Sequence, residues 1–286
     1  MIIYLNGQYV EEKEARLSPF DHGFLYGIGV FETFTSLAGH VFLLDWHLER
    51  LNQSLGDLCI ESTIEKPFVL DIIQSLLKKN DMLDGHARIR LNVSAGLGNG
   101  FSADVYHQPV VFVMISPFQP ESVLSEKEGI LLQINRNTPE GSRRLKSHHY
   151  MNNMLAKREI GNNPKKEGVF LTREGIVAEG ITSNLFWRKG NVVYTPSLDT
   201  GILNGITRRY CMNKLQKKGI DLEEGRFSLL HLLSADEAWM TNSVQGIVPF
   251  RQIEQTVFPE QDRTMASILQ DEYRRERHAG RIFHKE

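Results

Sequence analysis

Apolar positions along the chain change period several times, and each change marks an element. "IIYL" and "QYV" flank Asn6-Gly7, a dipeptide that accepts the positive φ values of a two-residue hairpin turn. "GVFETFTSLAGHVFLL" predicts a second strand pair turning at Ala38-Gly39. The period then lengthens: Leu44, Leu48, Leu51 and Leu55 recur at i, i+4, i+7 and i+11, one helical stripe with Asp45 as its expected cap. "KPFVLDIIQSLLKKN" predicts a second helix, and "HARIRLNVSAG" and "PVVFVMISPF" predict strands. Pro117, Pro120 and the polar run around them break the pattern, which places a domain boundary there.

Beyond the break the alternation resumes. "GILLQINRN" reads as a strand and "HHYMNNMLAKREIGNN" as a helix stopped by Asn and Gly. Hairpins are expected to turn at Glu174-Gly175 and Gly190-Asn191. "GITRRYCMNKLQKKG" predicts a helix, "EAWMTNSVQGIVPF" a strand running into a loop, and the charged tail a last helix. Strands and helices on both sides of one linker imply a two-domain α+β or α/β chain. The expected division is an N-terminal domain over 1–117, a linker over 118–128 and a larger C-terminal domain over 129–286.

Composition narrows the function classes. The 286 residues carry a net charge of -2, so the molecule is not built to attract nucleic acid or an anionic membrane. This weakens a polyanion-binding reading of the basic stretch "GSRRLKSHHYMNNMLAKREI", which Glu140 and Glu159 flank. The two cysteines form neither a CxxC pair nor zinc spacing, and no metal set is evident. No secretory leader and no run of transmembrane length are seen, so a reduced, cytoplasmic setting is expected.

Candidate chemistry lies in four places. Lys146 just precedes a helix and, by itself, reads first as a solvated lysine. Glu179 follows the apolar Ile-Val-Ala segment and precedes small polar residues, where it could line a cleft floor or serve a turn. Gly205, Ile206 and Thr207 open a helix, whose N–H groups and positive end suit an anion or a simple cap. Thr241, Asn242 and Ser243 follow an apolar strand and could cap, turn or hold a phosphate. A lysine, a carboxylate and a phosphate cup together are the parts list for pyridoxal 5′-phosphate.

The order Lys146, Tyr150, "MLAKRE", Glu179-Gly-x-x-Ser-Asn-Leu-Phe and "GITR" resembles the fold-type IV pyridoxal-phosphate enzymes, with a D-amino acid aminotransferase-like architecture. These comprise branched-chain and D-amino acid aminotransferases and aminodeoxychorismate lyases. "DHGFLYGIGVFETF", "LDWHLERL" and "EAWMTNSVQGIVPF" extend the likeness over nearly the whole chain. The resemblance implies that Lys146 is the Schiff-base lysine and proton-transfer base, and that Glu179 pairs with the ring nitrogen. It implies that Tyr150 and Asn184 lie by the cofactor, while Arg50, Ile206, Thr207 and Ser243 grip its phosphate. It also implies a homodimer.

Three features lean toward the lyase branch: "NLFWRKGNVVYTP", Thr33 after Phe31-Glu32, and the lack of an Arg-x-His trap in "RIRLNVSAGLGNG". On that reading the small-molecule substrate is aminodeoxychorismate, converted to p-aminobenzoate and pyruvate. Its carboxylates call for an arginine, with Arg90 preferred and Arg88 second. Thr33 is the candidate to orient substrate or pass a proton, and Tyr26 is a further substrate-side residue. An aminotransferase of the same family would use the same lysine and cofactor.

Overall fold

A computed structural model describes residues 1–102, 104–119, 126–259 and 263–279. The chain divides into two compact units. The first holds Met1–Pro120, Leu145–His149 and Glu276–Glu286; the second holds Glu121–Arg144 and Tyr150–Arg275.

The first unit contains β1 (Ile2–Leu5), β2 (Gln8–Glu11), α1 (His22–Leu25), β3 (Gly29–Leu37), β4 (His40–Val41), α2 (Leu44–Asp57), α3 (Lys66–Lys79), β5 (His86–Ser94) and β6 (Val110–Pro117). Its six strands form one antiparallel sheet in the order β2-β1-β6-β5-β3-β4. The β1–β2 hairpin turns where expected, with Asn6 at φ 42 and Gly7 at φ 88. Helices α2 and α3 pack against strands of this sheet. The leucine stripe of α2, Leu44, Leu48, Leu51 and Leu55, is buried with Val69, Ile73 and Leu76 of α3 and with Val30, Phe34, Ile89 and Leu91 of the sheet. Asp45 does not cap α2: the cap residue is Leu43 at φ 59, and Asp45 lies in the first turn, paired with Lys66 at 2.8 Å.

The second unit contains β7 (Lys127–Leu131), α4 (Met151–Ile160), β8 (Lys166–Leu171), β9 (Val177–Gly180), β10 (Asn184–Lys189), β11 (Val192–Pro196), α5 (Ile206–Lys217), β12 (Asp221–Gly225), α6 (Leu229–Leu233), β13 (Glu237–Asn242), β14 (Gly246–Ile253) and β15 (Thr256–Val257). The last helix, α7, spans Met265–Ala279, and its residues from Glu276 onward group with the first unit. The nine-stranded sheet runs β12-β11-β10-β13-β14-β7-β8-β9, with β15 beside β14. It is mixed, with parallel pairs at β11–β12, β14–β7 and β7–β8. Both faces of β8 and β9 are covered: Val169 and Val177 join one core cluster, Phe170 and Ala178 another.

Several expectations shift. The strand in "GILLQINRN" ends at Leu131, so Ile134–Asn137 is free of strand geometry. "VQGIVPF" is a strand rather than a loop, because the Asn242 side chain accepts the Val244 and Gln245 N–H groups and closes a tight turn onto Gly246 at φ 80. Helix α4 starts at Met151, leaving His148 and His149 outside it. Of the expected linker over 118–128, residues 120–125 lie outside the described residues, and Lys127 already belongs to β7. The Lys146 segment, expected with the C-terminal half, groups with the first unit because its backbone pairs with β3. Phe31 N–H donates to Lys146 O at 2.9 Å, Ser147 bridges Val30, and His148 N–H donates to Gly29 O at 2.9 Å.

Candidate active site

The first unit supplies a cationic sheet face. Side chains alternate along β3, so Val30, Glu32 and Phe34 share the helix side while Phe31, Thr33 and Thr35 share the other. Register puts Phe31 opposite Asn92, Thr33 opposite Arg90 and Thr35 opposite Arg88. The Arg90 guanidinium lies 3.6 Å from the Phe31 ring centroid, and its Nε–H donates to Asn92 Oδ1 at 3.2 Å. The Lys146 ammonium is 4.6 Å from the same ring. Two cations at one aromatic ring repel each other, and an anion between them would relieve that repulsion. Arg90 and Thr33 are half-buried, whereas Arg88 is exposed.

His148 stacks on Phe31, with ring centroids 6.5 Å apart. Burial, then the charge of Arg90, pushes its pKa down to about 4, so it is neutral at physiological pH. Tyr26 is 39 % exposed and its carbonyl accepts a hydrogen bond from His149 Nε2 at 2.9 Å, which fixes that histidine's proton on Nε2.

On the helix side, Glu32 is buried and clamps α2. Arg50 donates from Nε and Nη2 to its two oxygens at 2.7 Å each, and His47 Nδ1 meets Oε2 at 2.7 Å. Thus Arg50, expected at a phosphate, is oriented by a bidentate pair. Burial raises the Glu32 carboxyl, but Arg50 and His47 outweigh it and hold its pKa at about 2 instead of 4.5. A carboxyl with a lowered folded-state pKa stabilises the fold above its unfolded value and loses that contribution as pH falls. The 4.5-to-2 window corresponds to about 3 kcal/mol. Burial also lowers the pKa of His47, so charging it costs further stability below its usual 6.5. Urea midpoints of the wild type should therefore fall as pH drops toward 3, and Glu32→Gln should be weaker at neutral pH with a flatter acid limb. An unchanged acid slope in that variant would refute this account.

The second unit supplies a carboxylate and an anion cup. Glu179, near the end of β9, is buried. Its Oε1 accepts from Arg136 Nε at 2.8 Å, and its Oε2 accepts from Leu203 N–H at 2.9 Å and Asn184 Nδ2 at 3.3 Å. Arg144 Nε stands 3.9 Å from Oε1 and also donates to the Gly201 carbonyl. Burial, then the neighbouring charge of Arg136, lowers the Arg144 pKa to about 10. Asn184 gives its second amide hydrogen to Leu203 O at 2.8 Å, and its Oδ1 occupies the space a Cβ at Gly205 would need. Only glycine therefore fits ahead of α5.

Gly205 is the N-cap of α5 and offers no side-chain cap. Ile206 and Thr207 form the buried first turn, and register sets Thr241 opposite Asn184. Thr207 Oγ1 and Thr241 Oγ1 are buried with no hydrogen-bond partner. Buried orphan hydroxyls beside an uncapped helix start are the signature of a site built for an anionic ligand. Ser243 is half-buried in the turn that follows β13, and Tyr150 is the half-buried residue that precedes α4. Within the second unit the orphan threonines and helix start suit a phosphate and Glu179 suits the ring nitrogen of pyridoxal phosphate; within the first unit the Lys146 amine suits its aldehyde.

The sequence reading missed Arg136 and the clamp at Glu32. "INRN" falls inside an expected strand, where nothing marks Arg136, and Glu32 meets His47 and Arg50 across sequence separations of 15 and 18. Asn184, expected against the cofactor, spends both amide hydrogens inside the protein and so braces Glu179 and Leu203.

Two sheets of this order, an uncapped helix start over buried threonines and a half-buried lysine define a pyridoxal-phosphate enzyme scaffold. Residues 29–253 match the amino-transferase class IV family, and the chain belongs to it. The chain is 58 % identical over 276 residues to the aminodeoxychorismate lyase of Bacillus subtilis (strain 168), covering 96 % of this chain and 94 % of that protein. Among solved structures it resembles the 4-amino-4-deoxychorismate lyase of Pseudomonas aeruginosa, at 25 % identity and TM-score 0.81, covering 96 % and 98 % of the two chains. It also resembles the branched-chain amino acid aminotransferase from T.th., complexed with N-(5'-phosphopyridoxyl)-L-glutamate, at 25 % identity and TM-score 0.81, covering 95 % and 92 %.

Proposed function

We propose that this chain is a pyridoxal-phosphate-dependent lyase that converts 4-amino-4-deoxychorismate to p-aminobenzoate and pyruvate, a step toward folate. The likeness to the Bacillus subtilis lyase along nearly the whole chain carries this reading. When bound, the cofactor supplies an electron sink for charge developing at the amine-bearing carbon. Thr207, Thr241 and the start of α5 would hold its phosphate, with Ile206, Ser243 and the Glu32-oriented Arg50 as further contacts. Glu179 would meet the ring nitrogen, and Tyr150 would lie beside the cofactor.

Lys146 would hold the cofactor through its amine and, once freed by the substrate amine, would take the proton from the amine-bearing ring carbon. The enolpyruvyl carbon–oxygen bond breaks, the ring becomes aromatic, and the leaving enol takes up a proton to become pyruvate. Thr33, in register with Arg90, is the candidate to hand over that proton. Arg90 pairs with a substrate carboxylate, where Phe31 already orients its guanidinium, and exposed Arg88 is the second candidate. Positioning the scissile C–H bond against that electron sink would be the protein's main contribution.

The test is a product assay with aminodeoxychorismate generated in place from chorismate. Equimolar p-aminobenzoate and pyruvate are expected. Rapid exchange between D-alanine or L-leucine and 2-oxoglutarate, with no p-aminobenzoate, would make the chain an aminotransferase instead.

We further infer a homodimer. Phe20, Phe24, Leu97 and Phe101 expose large apolar side chains, Phe101 to 95 %, around Tyr26, whose ring meets Phe101 at 5.6 Å. A second copy would remove this surface from water. Sedimentation equilibrium should return twice the chain mass, and the mass of one chain would count against it. No helix among the described residues is long and apolar enough to cross a membrane. The unpaired Cys59 and Cys211 accord with a reducing, cytoplasmic setting.

A further inference from the structure

The acceptor capacity of Glu179 is nearly used up before any ligand arrives. A carboxylate has about four acceptor positions, two on each oxygen. Oε2 takes Leu203 N–H and Asn184 Nδ2–H, which fills it. Oε1 takes Arg136 Nε–H, which leaves one position. Arg136 is itself locked. Its Nη1 donates to Asn152 Oδ1 at 2.6 Å, Asn137 Oδ1 at 3.1 Å and Asn153 Oδ1 at 3.4 Å, and its guanidinium sits 5.2 Å from the Phe170 ring. Asn153 is held in turn by donating to Ile181 O at 2.5 Å, in the loop between β9 and β10. Three asparagines and an aromatic ring serve to aim one guanidinium at one carboxylate oxygen.

We propose that Arg136 is a positioning residue. It holds Glu179 in one orientation beside Arg144 and leaves a single acceptor position, on Oε1, for the N–H of the cofactor ring nitrogen. The inference rests on the cofactor reading above and adds the residue that enforces it. Without Arg136 the carboxylate would turn away, and the ring nitrogen would lose the partner that holds its proton. The electron-withdrawing power of the ring would then depend on pH.

Pyridoxamine 5′-phosphate is the probe, because its amine needs no bond to Lys146 and its ultraviolet band reports protonation of the ring nitrogen. Apoenzyme is titrated with it, and the band is followed across neutral and mildly alkaline pH for release of the ring-nitrogen proton. The wild type should keep a constant band. Arg136→Met should bind the probe about tenfold more weakly, the scale of one charge-assisted hydrogen bond, and its band should titrate within that range. Arg136→Lys, which keeps the charge but loses the fork, should bind weakly with a constant band. Should Arg136→Met fail to fold, Asn152→Ala removes the 2.6 Å anchor and should shift affinity in the same direction to a smaller extent. A folded Arg136→Met with wild-type affinity and a constant band overturns the proposal, as does unchanged affinity in Asn152→Ala where the methionine variant cannot be made. A wild-type protein that binds neither pyridoxamine nor pyridoxal phosphate overturns the cofactor reading itself.

Discussion

Lys146→Ala is expected to abolish p-aminobenzoate formation, by about four orders of magnitude or more, because one amine serves both as nucleophile and as proton-transfer base. The variant should still fold. What holds the segment to β3 is backbone: the Phe31 N–H bond to Lys146 O, the Ser147 bridge and the His148 bond to Gly29. The side chain contributes a cation near the Phe31 ring, about 0.5–2 kcal/mol. A thermal midpoint close to the wild type, together with lost turnover, is therefore the predicted pair of results. Substantial turnover in a protein free of wild-type contamination would remove Lys146 from the chemistry. Removing the ammonium also leaves Arg90 as the cation at Phe31, so an anionic substrate should still bind within roughly tenfold of its wild-type affinity.

Glu179→Gln should lower turnover by about 10²–10³-fold and also destabilise the fold by about 3 kcal/mol. The two losses have different origins. Turnover falls because a neutral amide cannot balance a positively charged ring nitrogen. Stability falls because Arg136 is left as a buried guanidinium with no counter-charge, and Arg144 stands close behind it. Combining Arg136→Met with Glu179→Gln separates them. The double variant should regain much of the stability, since a buried ion pair replaced by neutral groups is often tolerated, while turnover stays low. Recovery of both together would mean that Glu179 acts only through folding.

Much of the first unit was legible because its signals are local. Asn6-Gly7 fixes a turn within two residues, and the four leucines of α2 repeat within three turns. Glu179 and Thr207 could be read because each sits at an element end announced by an apolar run or a glycine. The rest depends on partners distant in sequence. Strand β12, "DLEEG", is polar and largely exposed, so alternation does not reveal it; it exists because β11 offers a parallel edge. Strand β14 reads as a loop because its turn is closed by a side chain, Asn242, rather than by a familiar dipeptide. Arg136 reads as one more residue of the expected strand "GILLQINRN" until residues 152, 153, 170 and 179 surround it.

The five residues Leu145–His149 carry a consequence for anyone who cuts this chain. Their flanks on both sides belong to the second unit, yet they form the covering partner of Gly29–Phe31. A fragment ending near residue 120 would present that edge of β3 without the partners that residues 145–149 give the Phe31 N–H and the Gly29 C=O. Open strand edges of this kind recruit other chains. Such a fragment should aggregate unless a peptide spanning residues 145–149 is supplied in trans, and the two units are better treated as one folding problem than as modules to be expressed apart.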